Sequence, residues 1–179
     1  MAISTKFFYK ICIVGDSGVG KTTLLHQYID KVFKSSIGTT IGSHFFVKYL
    51  KLPKIKNLIT LQVWDLAGQE HFKWVRYGFY KGARGIVYVF DLTNKESFNN
   101  IRNWKKEVEK RIGIKPNILV GNKLDLMNPE ENNITLEESG KLRQELQACA
   151  YLKTSAKLGT KVDDVFKILS LEMYKSINK

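Results

Sequence analysis

One segment constrains the fold of this chain more than any other: the five consecutive apolar side chains of Ile86, Val87, Tyr88, Val89 and Phe90. A strand with one face in water alternates apolar and polar residues, whereas an unbroken apolar run of strand length suits a strand buried on both faces. Such strands are typical of a parallel sheet that helices cover on both sides. We therefore expect an α/β fold built around a sheet of this kind.

Other apolar runs of strand length alternate along the chain with segments of helical period. The predicted strands are residues 7–14, 47–52, 58–64, 85–90, 117–120 and 149–152. Residues 52–57, which include Pro53, predict a hairpin between the second and third strands, and this would be the one antiparallel pairing. The order β-α-β-β-α-β-α-β-α-β-α predicts three layers: a six-stranded, mostly parallel sheet with one antiparallel edge strand and about five helices.

Two helices are predicted to start at capping boxes, in which a hydroxyl and a carboxylate bind N–H groups of the first turn. The boxes are Thr93 with Glu96, and Thr135 with Glu138. Apolar residues at helical spacing follow in the third and last helices, and we expect them to lie in the core. They are Phe98, Ile101, Trp104 and Val108, and Val162, Val165, Phe166, Leu169 and Met173.

The loop after the first predicted strand carries GDSGVGKT at positions 15–22, which matches the P-loop pattern G-x-x-x-x-G-K-[ST] between a strand and a helix. In a P-loop, glycines let backbone N–H groups converge on phosphate oxygens at the start of a helix. Lys21 would neutralise the β- and γ-phosphates, and the Thr22 hydroxyl would supply one ligand to Mg²⁺. The chain is therefore predicted to be a P-loop NTPase that binds a nucleoside triphosphate with Mg²⁺. The predicted contacts are Ser17, Gly18, Val19, Gly20, Lys21, Thr22 and Thr23.

The base is predicted by NKLD at positions 122–125, after the fifth strand. A carboxylate such as Asp125 can accept from the N1–H and 2-amino groups of guanine, whereas adenine has no such pair of donors on that edge. A mismatched base would leave a buried acceptor unpaired. NKLD resembles the guanine-reading N-K-x-D loop of small GTPases, and TSAK at positions 154–157 resembles their supporting S-A-K loop. This resemblance assigns Asn122, Lys123, Asp125, Ser155, Ala156 and Lys157 to the nucleotide.

A third segment, WDLAGQE at positions 64–70, resembles the D-x-A-G-Q sequence that opens switch II in the Ras superfamily of small GTPases. The resemblance covers essentially the whole chain and is closest to the Rab branch. Thr40-Ile41-Gly42 with Phe45 is similar to the Rab T-I-G-x-D-F segment, and residues 79–83 are similar to its Y-Y-R-G-A run. His44 replaces the usual acid, and Leu66 replaces the commoner threonine. The resemblance implies one GTP-binding G domain over residues 1–179.

The resemblance implies an enzyme that slowly hydrolyses GTP to GDP and phosphate. It would act as a molecular switch through switch I, about residues 33–45, and switch II, about residues 65–80. Gln69 would be the catalytic residue that orients the attacking water. Thr40 would coordinate Mg²⁺ directly and Asp65 through a water, while Thr40 and Gly68 would sense the γ-phosphate. Phe33 would stack against guanine; the alternative is that Phe33 is an ordinary packing residue.

The resemblance also implies protein partners, and a role in membrane trafficking. Residues 31–40 contain no arginine that could act as a finger in cis, so hydrolysis at roughly 10⁻⁴ to 10⁻³ per second implies a GTPase-activating protein (GAP). Arg76 and Arg84 are interpreted as solvated surface charges. An exchange factor and effectors are expected as well. Phe45, Trp64 and Phe79 would form an effector patch, which Trp74 would enlarge; burial of these aromatic rings is the alternative.

The chain carries 29 Lys and Arg against 17 Asp and Glu, a net charge of +12. We interpret the basic residues as solvated faces, the alternative being weak association with an anionic membrane surface. Nucleic-acid binding is not expected, because no nucleic-acid motif accompanies the charge. The sequence has no apolar stretch of membrane-spanning length and no lipidation motif. We expect a cytoplasmic monomer, with peripheral membrane contact as the alternative.

Two rival functions stay open at this point. One is a nucleotide-bound adaptor or scaffold with negligible hydrolysis, and the other is a basic scaffold on a membrane surface. The adaptor is disfavoured because the residues that hydrolysis requires are all present. These are Lys21, Thr22, Thr40, Asp65, Gly68 and Gln69.

Overall fold

The computed structural model describes residues 5–33, 38–53, 55, 58–128 and 134–177. This part of the chain contains strands and helices in the predicted order: β1 (Thr5–Val14), α1 (Lys21–Asp30), β2 (Ser43–Leu50), β3 (Leu58–Leu66), α2 (Lys73–Tyr80), β4 (Gly85–Asp91), α3 (Lys95–Ile112), β5 (Asn117–Asn122), α4 (Leu136–Leu146), β6 (Tyr151–Lys153) and α5 (Val162–Ile177). Short 3₁₀ helices lie at Glu70–Phe72 and Leu124–Leu126. None of the helices described has the length and apolar composition that crossing a bilayer requires.

The strands form one sheet in the order β2-β3-β1-β4-β5-β6. β2 lies at one edge and runs antiparallel to β3, while the other neighbouring strands pair in parallel. Parallel neighbours need long crossover connections, which the helices provide. The predicted fold class, with its single antiparallel edge strand, is confirmed. Residues 54, 56 and 57 of the predicted hairpin lie outside the described residues.

The core lies on both faces of the sheet. β4 is buried along its whole length, as its unbroken apolar run predicts. One cluster lies under α1 and α5 and includes Phe166 and Met173, and a second lies under α2, α3 and α4 and includes Phe98 and Trp104. The apolar faces predicted for the third and last helices are therefore confirmed as core.

β2 and β6 begin at other residues than the sequence predicts, and β1 begins at Thr5, two residues before its predicted start. β2 begins at Ser43 instead of residue 47, because its ladder with β3 runs from the pair Ser43 and Leu66 to the pair Leu50 and Ile59. β6 begins at Tyr151, so Cys149 precedes the strand that it was predicted to open. In both places the partner strand, and not the local sequence, decides where pairing begins.

One of the two predicted capping boxes is wrong. At α4, Thr135 Oγ1 accepts from the Glu138 N–H while the Glu138 carboxylate accepts from the Thr135 N–H, so this box is confirmed. At α3 the N-cap is Asn94, whose side chain accepts from the Ser97 N–H at 3.1 Å. Thr93 instead donates its N–H and its hydroxyl to Asp91 Oδ1. The Thr93 hydroxyl, which was predicted to cap α3, therefore binds Asp91 in the turn after β4 instead.

Candidate nucleotide-binding site

The loop between β1 and α1 adopts a backbone that its glycines make possible. Gly15 and Gly20 have φ angles of 145° and 93°, which L-residues rarely adopt. A Cβ at Gly15 would lie 2.1 Å from the Val89 carbonyl oxygen, and a Cβ at Gly20 would lie 2.4 Å from Asn122 Nδ2. The loop thus packs directly against β4 and the end of β5, at the carboxyl edge of the sheet where ligands bind in such folds.

Lys21 opens α1 and is buried. Its Nζ donates to the carbonyl oxygens of Gly15 at 2.7 Å and Asp16 at 2.8 Å. Burial lowers the pKa of Lys21 to about 8, although the nearby Asp65 and Asp16 carboxylates partly oppose this effect. A buried ammonium group is stabilised by an anion. Lys21 therefore makes the inside of the loop a favourable place for phosphate.

Three oxygen-bearing side chains converge beside Lys21. Thr22 Oγ1 donates to Asp65 Oδ2 at 2.5 Å and lies 2.9 Å from Thr40 Oγ1. Thr40 Oγ1 also lies 3.4 Å from Asp65 Oδ2. The structure thus brings together α1, the loop before β2 and the end of β3. These are the three residues that the sequence assigns to Mg²⁺.

The chemistry of this oxygen cluster fits Mg²⁺. Asp65 is fully buried, and its Oδ1 has no hydrogen-bond partner among the described residues. Burial raises the pKa of Asp65, while the Thr22 hydroxyl and the Lys21 charge oppose the increase. A buried carboxylate with an unpaired oxygen is stabilised by a cation, and Mg²⁺ prefers hard oxygen ligands.

Two cavities lie next to each other along the carboxyl edge of the sheet. The first, of about 220 Å³, is lined by Ser17, Gly18, Gly20, Lys21, Thr22, Thr23, Gly38, Thr39, Thr40 and Gly68. The second, of about 290 Å³, is lined by Gly20, Thr23, Phe33, Asn122, Lys123, Asp125, Leu126, Ala156 and Lys157. Because both include Gly20 and Thr23, they form one groove. We call the first cavity the phosphate compartment and the second the base compartment, after the parts of the nucleotide that are predicted to bind there. Val19 and Ser155 are buried behind it.

Asn122, at the end of β5, joins three loops. Its Nδ2 donates to the Val19 carbonyl oxygen at 3.0 Å. Its Oδ1 accepts from Thr154 Oγ1 and from the Ala156 N–H, both at 3.1 Å. The Asn122 side chain therefore holds the P-loop and the loop after β6 in register. Sequence reasoning did not assign Thr154 a role, because only the folded chain brings it to Asn122.

Asp125 is oriented within the base compartment by a neighbouring hydroxyl. Its Oδ1 accepts from Ser155 Oγ, which itself accepts from the Leu158 N–H at 3.0 Å. Lys123 has φ 65° and forms an ion pair with Asp91 at 2.7 Å. Phe33 lines the compartment and is 42% exposed, so it is not a core residue. The exposure of Phe33 disfavours the alternative that it is an ordinary packing residue, and its stacking against guanine stays a prediction.

The loop after β3 lies directly against the P-loop. A Cβ at Gly68 would lie 2.4 Å from the Ser17 nitrogen and 2.7 Å from the Gly15 carbonyl oxygen. Gln69 follows, just before the 3₁₀ helix Glu70–Phe72, and its Oε1 is buried with no hydrogen-bond partner in the part of the chain described. Gln69 thus lies next to Gly68 in the chain, but unlike Gly68 it does not line the 220 Å³ cavity beside the P-loop.

Arg76 is buried, so its interpretation as a surface charge is wrong. Its guanidinium forms an ion pair with Glu107 of α3 and donates to the carbonyl oxygens of Ala67 and Gln69. The sequence does not reveal this because Glu107 lies 31 residues away in the chain. Arg84 is exposed, as predicted.

Three aromatic rings form a continuous surface beside this loop. The Phe45 and Trp64 ring centroids lie 5.3 Å apart, and those of Trp64 and Phe79 lie 5.1 Å apart. Phe45 is 53% exposed, Trp64 and Phe79 are half-buried, and Trp74 is exposed. The alternative, in which all four rings are core residues, is therefore wrong.

Comparisons with known proteins agree with this geometry. Residues 10–175 match the model of the Ras family. The chain is 42% identical over 158 residues to the GTP-binding protein yptV2 of Volvox carteri, covering 88% of this chain and 71% of that protein. It is 36% identical over 180 residues to the Ras-related protein Rab-8B of Homo sapiens, covering 100% of this chain and 84% of that protein. It is 38% identical over 168 residues to the Ras-related protein RABE1d of Arabidopsis thaliana, covering 93% of this chain and 76% of that protein.

Proposed function

The chain belongs to the Ras family, as a small GTPase of the Rab branch that acts as a molecular switch, and from this premise we propose how its own residues bind and hydrolyse GTP. One observation carries the proposal. The phosphate and base compartments share Gly20 and Thr23, so a single nucleotide would extend from Lys21 to Asp125. The same chain would form one G domain over residues 1–179, with a role in membrane trafficking.

The phosphates would lie against the P-loop. Lys21 would exchange its hydrogen bonds to neutral backbone carbonyl oxygens for bonds to the negatively charged oxygens of the β- and γ-phosphates, in which both partners are charged. Ras-family GTPases generally use Mg²⁺, which supplies positive charge to the phosphates when it is bound. Thr22 and Thr40 would hold this ion directly, and Asp65 would hold it through a water. The assignment of Mg²⁺ to these residues rests on the buried Oδ1 of Asp65, which has no hydrogen-bond partner among the described residues.

The base would be selected at the other end of the groove. Asp125, fixed by Ser155, would accept from the two donors of guanine, and the Ala156 and Lys157 loop would meet the base oxygen. Phe33 would cover the ring. Asn122 lines the compartment, but both ends of its side chain bind the protein, so we assign it a positioning role.

Hydrolysis would depend on Gln69. Its side-chain Oε1, which has no hydrogen-bond partner among the described residues, would orient the water that attacks the γ-phosphate. Thr40 and Gly68, which both line the phosphate compartment, would lose a contact when that phosphate leaves. Losing it would release switch I and switch II together.

Regulators and effectors are general partners of Ras-family proteins. For this chain we propose a GAP, because none of the arginines that the structure describes lines the phosphate compartment. An exchange factor would release tightly bound GDP. Effectors would bind the connected aromatic surface of Phe45, Trp64 and Phe79.

Single-turnover hydrolysis tests the proposal. The protein is loaded with GTP in the presence of Mg²⁺, and conversion to GDP is followed by chromatography for wild type and for Gln69→Leu. ATP loading provides the control for base selection. We expect slow hydrolysis by wild type, at least tenfold slower hydrolysis by Gln69→Leu, and no loading with ATP. Stable GTP binding without hydrolysis by either protein would favour the adaptor. Absence of GTP binding would contradict the assigned roles of Lys21 and Asp125.

A further inference from the structure

The guanidinium of Arg76 is buried and donates four hydrogen bonds, although it belongs to no binding motif. Only 1% of its side chain is exposed. Nε and Nη2 each donate to a carboxylate oxygen of Glu107 at 2.9 Å, which makes the ion pair bidentate. Nη1 donates to the carbonyl oxygens of Ala67 at 3.0 Å and Gln69 at 2.7 Å. Arg76 thus connects α2, α3 and the loop after β3.

The geometry of this cluster resists displacement. Glu107 is 7% exposed and also accepts from the Tyr80 hydroxyl at 2.7 Å. Separating a buried ion pair leaves an uncompensated charge, so each partner is strongly held by the other. The guanidinium of Arg76 presents its N–H donors as a rigid, planar fork. It therefore fixes the position of the two carbonyl groups relative to α3.

These two carbonyl groups flank the residue that approaches the P-loop. Ala67 and Gln69 lie on either side of Gly68, whose backbone leaves no room for a Cβ beside Ser17. The position of the Gln69 main chain sets where its side chain can reach. Arg76 therefore acts on the Gln69 backbone while its own side chain stays outside the phosphate compartment.

The same face of α3 also holds the P-loop. The Asp16 carboxylate accepts from Asn100 Nδ2 at 2.8 Å and from Trp104 Nε1 at 2.7 Å. The Trp104 ring lies 4.4 Å from the guanidinium carbon of Arg76. α3 is thus a common support for the loop that would hold the phosphates and for the loop that carries Gln69.

We propose that Arg76 is a positioning residue for GTP hydrolysis: by holding the Gln69 carbonyl and pairing with Glu107, it fixes the main chain of Gly68 and Gln69 beside the P-loop. The inference rests on the role proposed for Gln69. It assigns Arg76 no contact with the nucleotide. Loss of the Arg76 fork should therefore reduce the rate of hydrolysis more than the affinity for nucleotide.

The test uses Arg76→Met, which keeps an apolar stem beside Trp104 and removes the hydrogen-bond donors. A displacement of about 1 Å at a reacting group can cost about 100-fold in rate, so we expect single-turnover hydrolysis to slow about 10- to 100-fold. The dissociation rate of fluorescent GDP should change less than about threefold. Arg76→Lys, which keeps the charge without the fork, should recover only part of the rate. Arg84→Met, at an exposed arginine, is the matched control and should hydrolyse GTP like wild type.

Two further measurements separate positioning from stability. In a Gln69→Leu background, Arg76→Met should cause no further slowing, because the group on which Arg76 acts is already absent. In Arg76→Met with Glu107→Leu, both charges are removed. Thermal stability should then recover relative to Arg76→Met alone, while hydrolysis should stay slow.

Several outcomes would overturn the inference. An unchanged rate in Arg76→Met, equal slowing in both backgrounds, or recovery of the rate together with stability would show that Arg76 is only structural. Wild-type protein that binds GTP without hydrolysing it would instead refute the proposed function, and this inference with it. The wild-type measurement thus distinguishes the two failures.

Discussion

At the scale of single residues, Gly68 is the position where one added carbon has the clearest consequence. The atoms that its Cβ would meet belong to the backbone of Gly15, Asp16 and Ser17, at 2.4 to 2.7 Å. Backbone atoms cannot rotate aside as the end of a side chain can. We expect Gly68→Ala to push the loop away from the P-loop and to slow single-turnover GTP hydrolysis about 10- to 100-fold, with GDP still bound.

Gly78 provides the matched control for this change. It lies in α2, and a Cβ there would meet nothing within 4 Å. Gly78→Ala should hydrolyse GTP at the wild-type rate and stabilise α2 by up to about 1 kcal/mol. Equal rates for Gly68→Ala and wild type would contradict the close approach of the two loops.

Cys149 has a chemical reactivity that burial suppresses. Burial, with a smaller effect from the Glu172 charge, raises the pKa of the Cys149 thiol from 9.0 to about 11. Because only the thiolate is nucleophilic, its reactive fraction at pH 8 should be about 100-fold lower than for an ordinary cysteine. Iodoacetamide labelling of Cys149, followed by mass spectrometry, should keep rising up to about pH 11. Labelling of the protein in urea provides the reference, and a plateau near pH 9 in the folded protein would refute the shift.

At the scale of secondary-structure elements, the start of α3 tests which residue caps it. Asn94 is exposed and accepts from the Ser97 N–H, so its loss leaves an N–H group of the first turn without a partner. Asn94→Ala should lower the free energy of unfolding by about 1 kcal/mol in urea denaturation. Asn99→Ala, at an exposed position inside the helix, should leave stability unchanged or raise it slightly. Equal stability of Asn94→Ala and Asn99→Ala would indicate that the cap is elsewhere.

The elements also differ in how far their own sequence determines them. The centre of β4 could be predicted from its unbroken apolar run, and the apolar faces of α3 and α5 from their period, because those patterns are local. The start of β2 could not, since Ser43 and His44 belong to the strand only through their pairing with Leu66 and Asp65. Thr93 fits a capping box by spacing, but its hydroxyl donates a hydrogen bond to Asp91 instead.

At the scale of the whole molecule, Asn122 joins segments that lie far apart in the chain. The residue is 1% exposed, and its side-chain amide binds the P-loop and the loop after β6 at the same time. Asn122→Ala would leave buried polar groups of both loops unpaired, at about 1–3 kcal/mol for each such group. We expect lower stability in urea denaturation, together with at least tenfold faster release of fluorescent GDP.

Asn103→Ala is the control for Asn122→Ala, because Asn103 is an exposed asparagine of α3. Its stability and GDP release should match those of wild type. Loss of stability in Asn122→Ala without faster GDP release would show that Asn122 supports the fold and not the groove.

The loops of the candidate site could be predicted from the sequence, but the contacts that support these loops could not. GDSGVGKT and NKLD mark the phosphate and base compartments because short loops carry those functions in contiguous sequence. The supporting contacts were not predictable. Asp16 with Trp104, Arg76 with Glu107 and Asn122 with Thr154 are brought together only by the packing of helices on the sheet. Arg76 shows the consequence, since a charged residue without a local partner is ordinarily assigned to the surface.

The two segments that the Asn122 side chain joins are synthesised at different times. Val19 lies 103 residues before Asn122 in the chain, and Ala156 lies 34 residues after it. At a translation rate of roughly 5 to 20 residues per second, the P-loop leaves the ribosome roughly 7 to 27 seconds before the loop after β6. A nascent chain therefore carries the predicted phosphate loop during this interval without the residues that are predicted to enclose the base. Stable capture of the nucleotide in cells should thus begin only after the loop that follows β6 has left the ribosome.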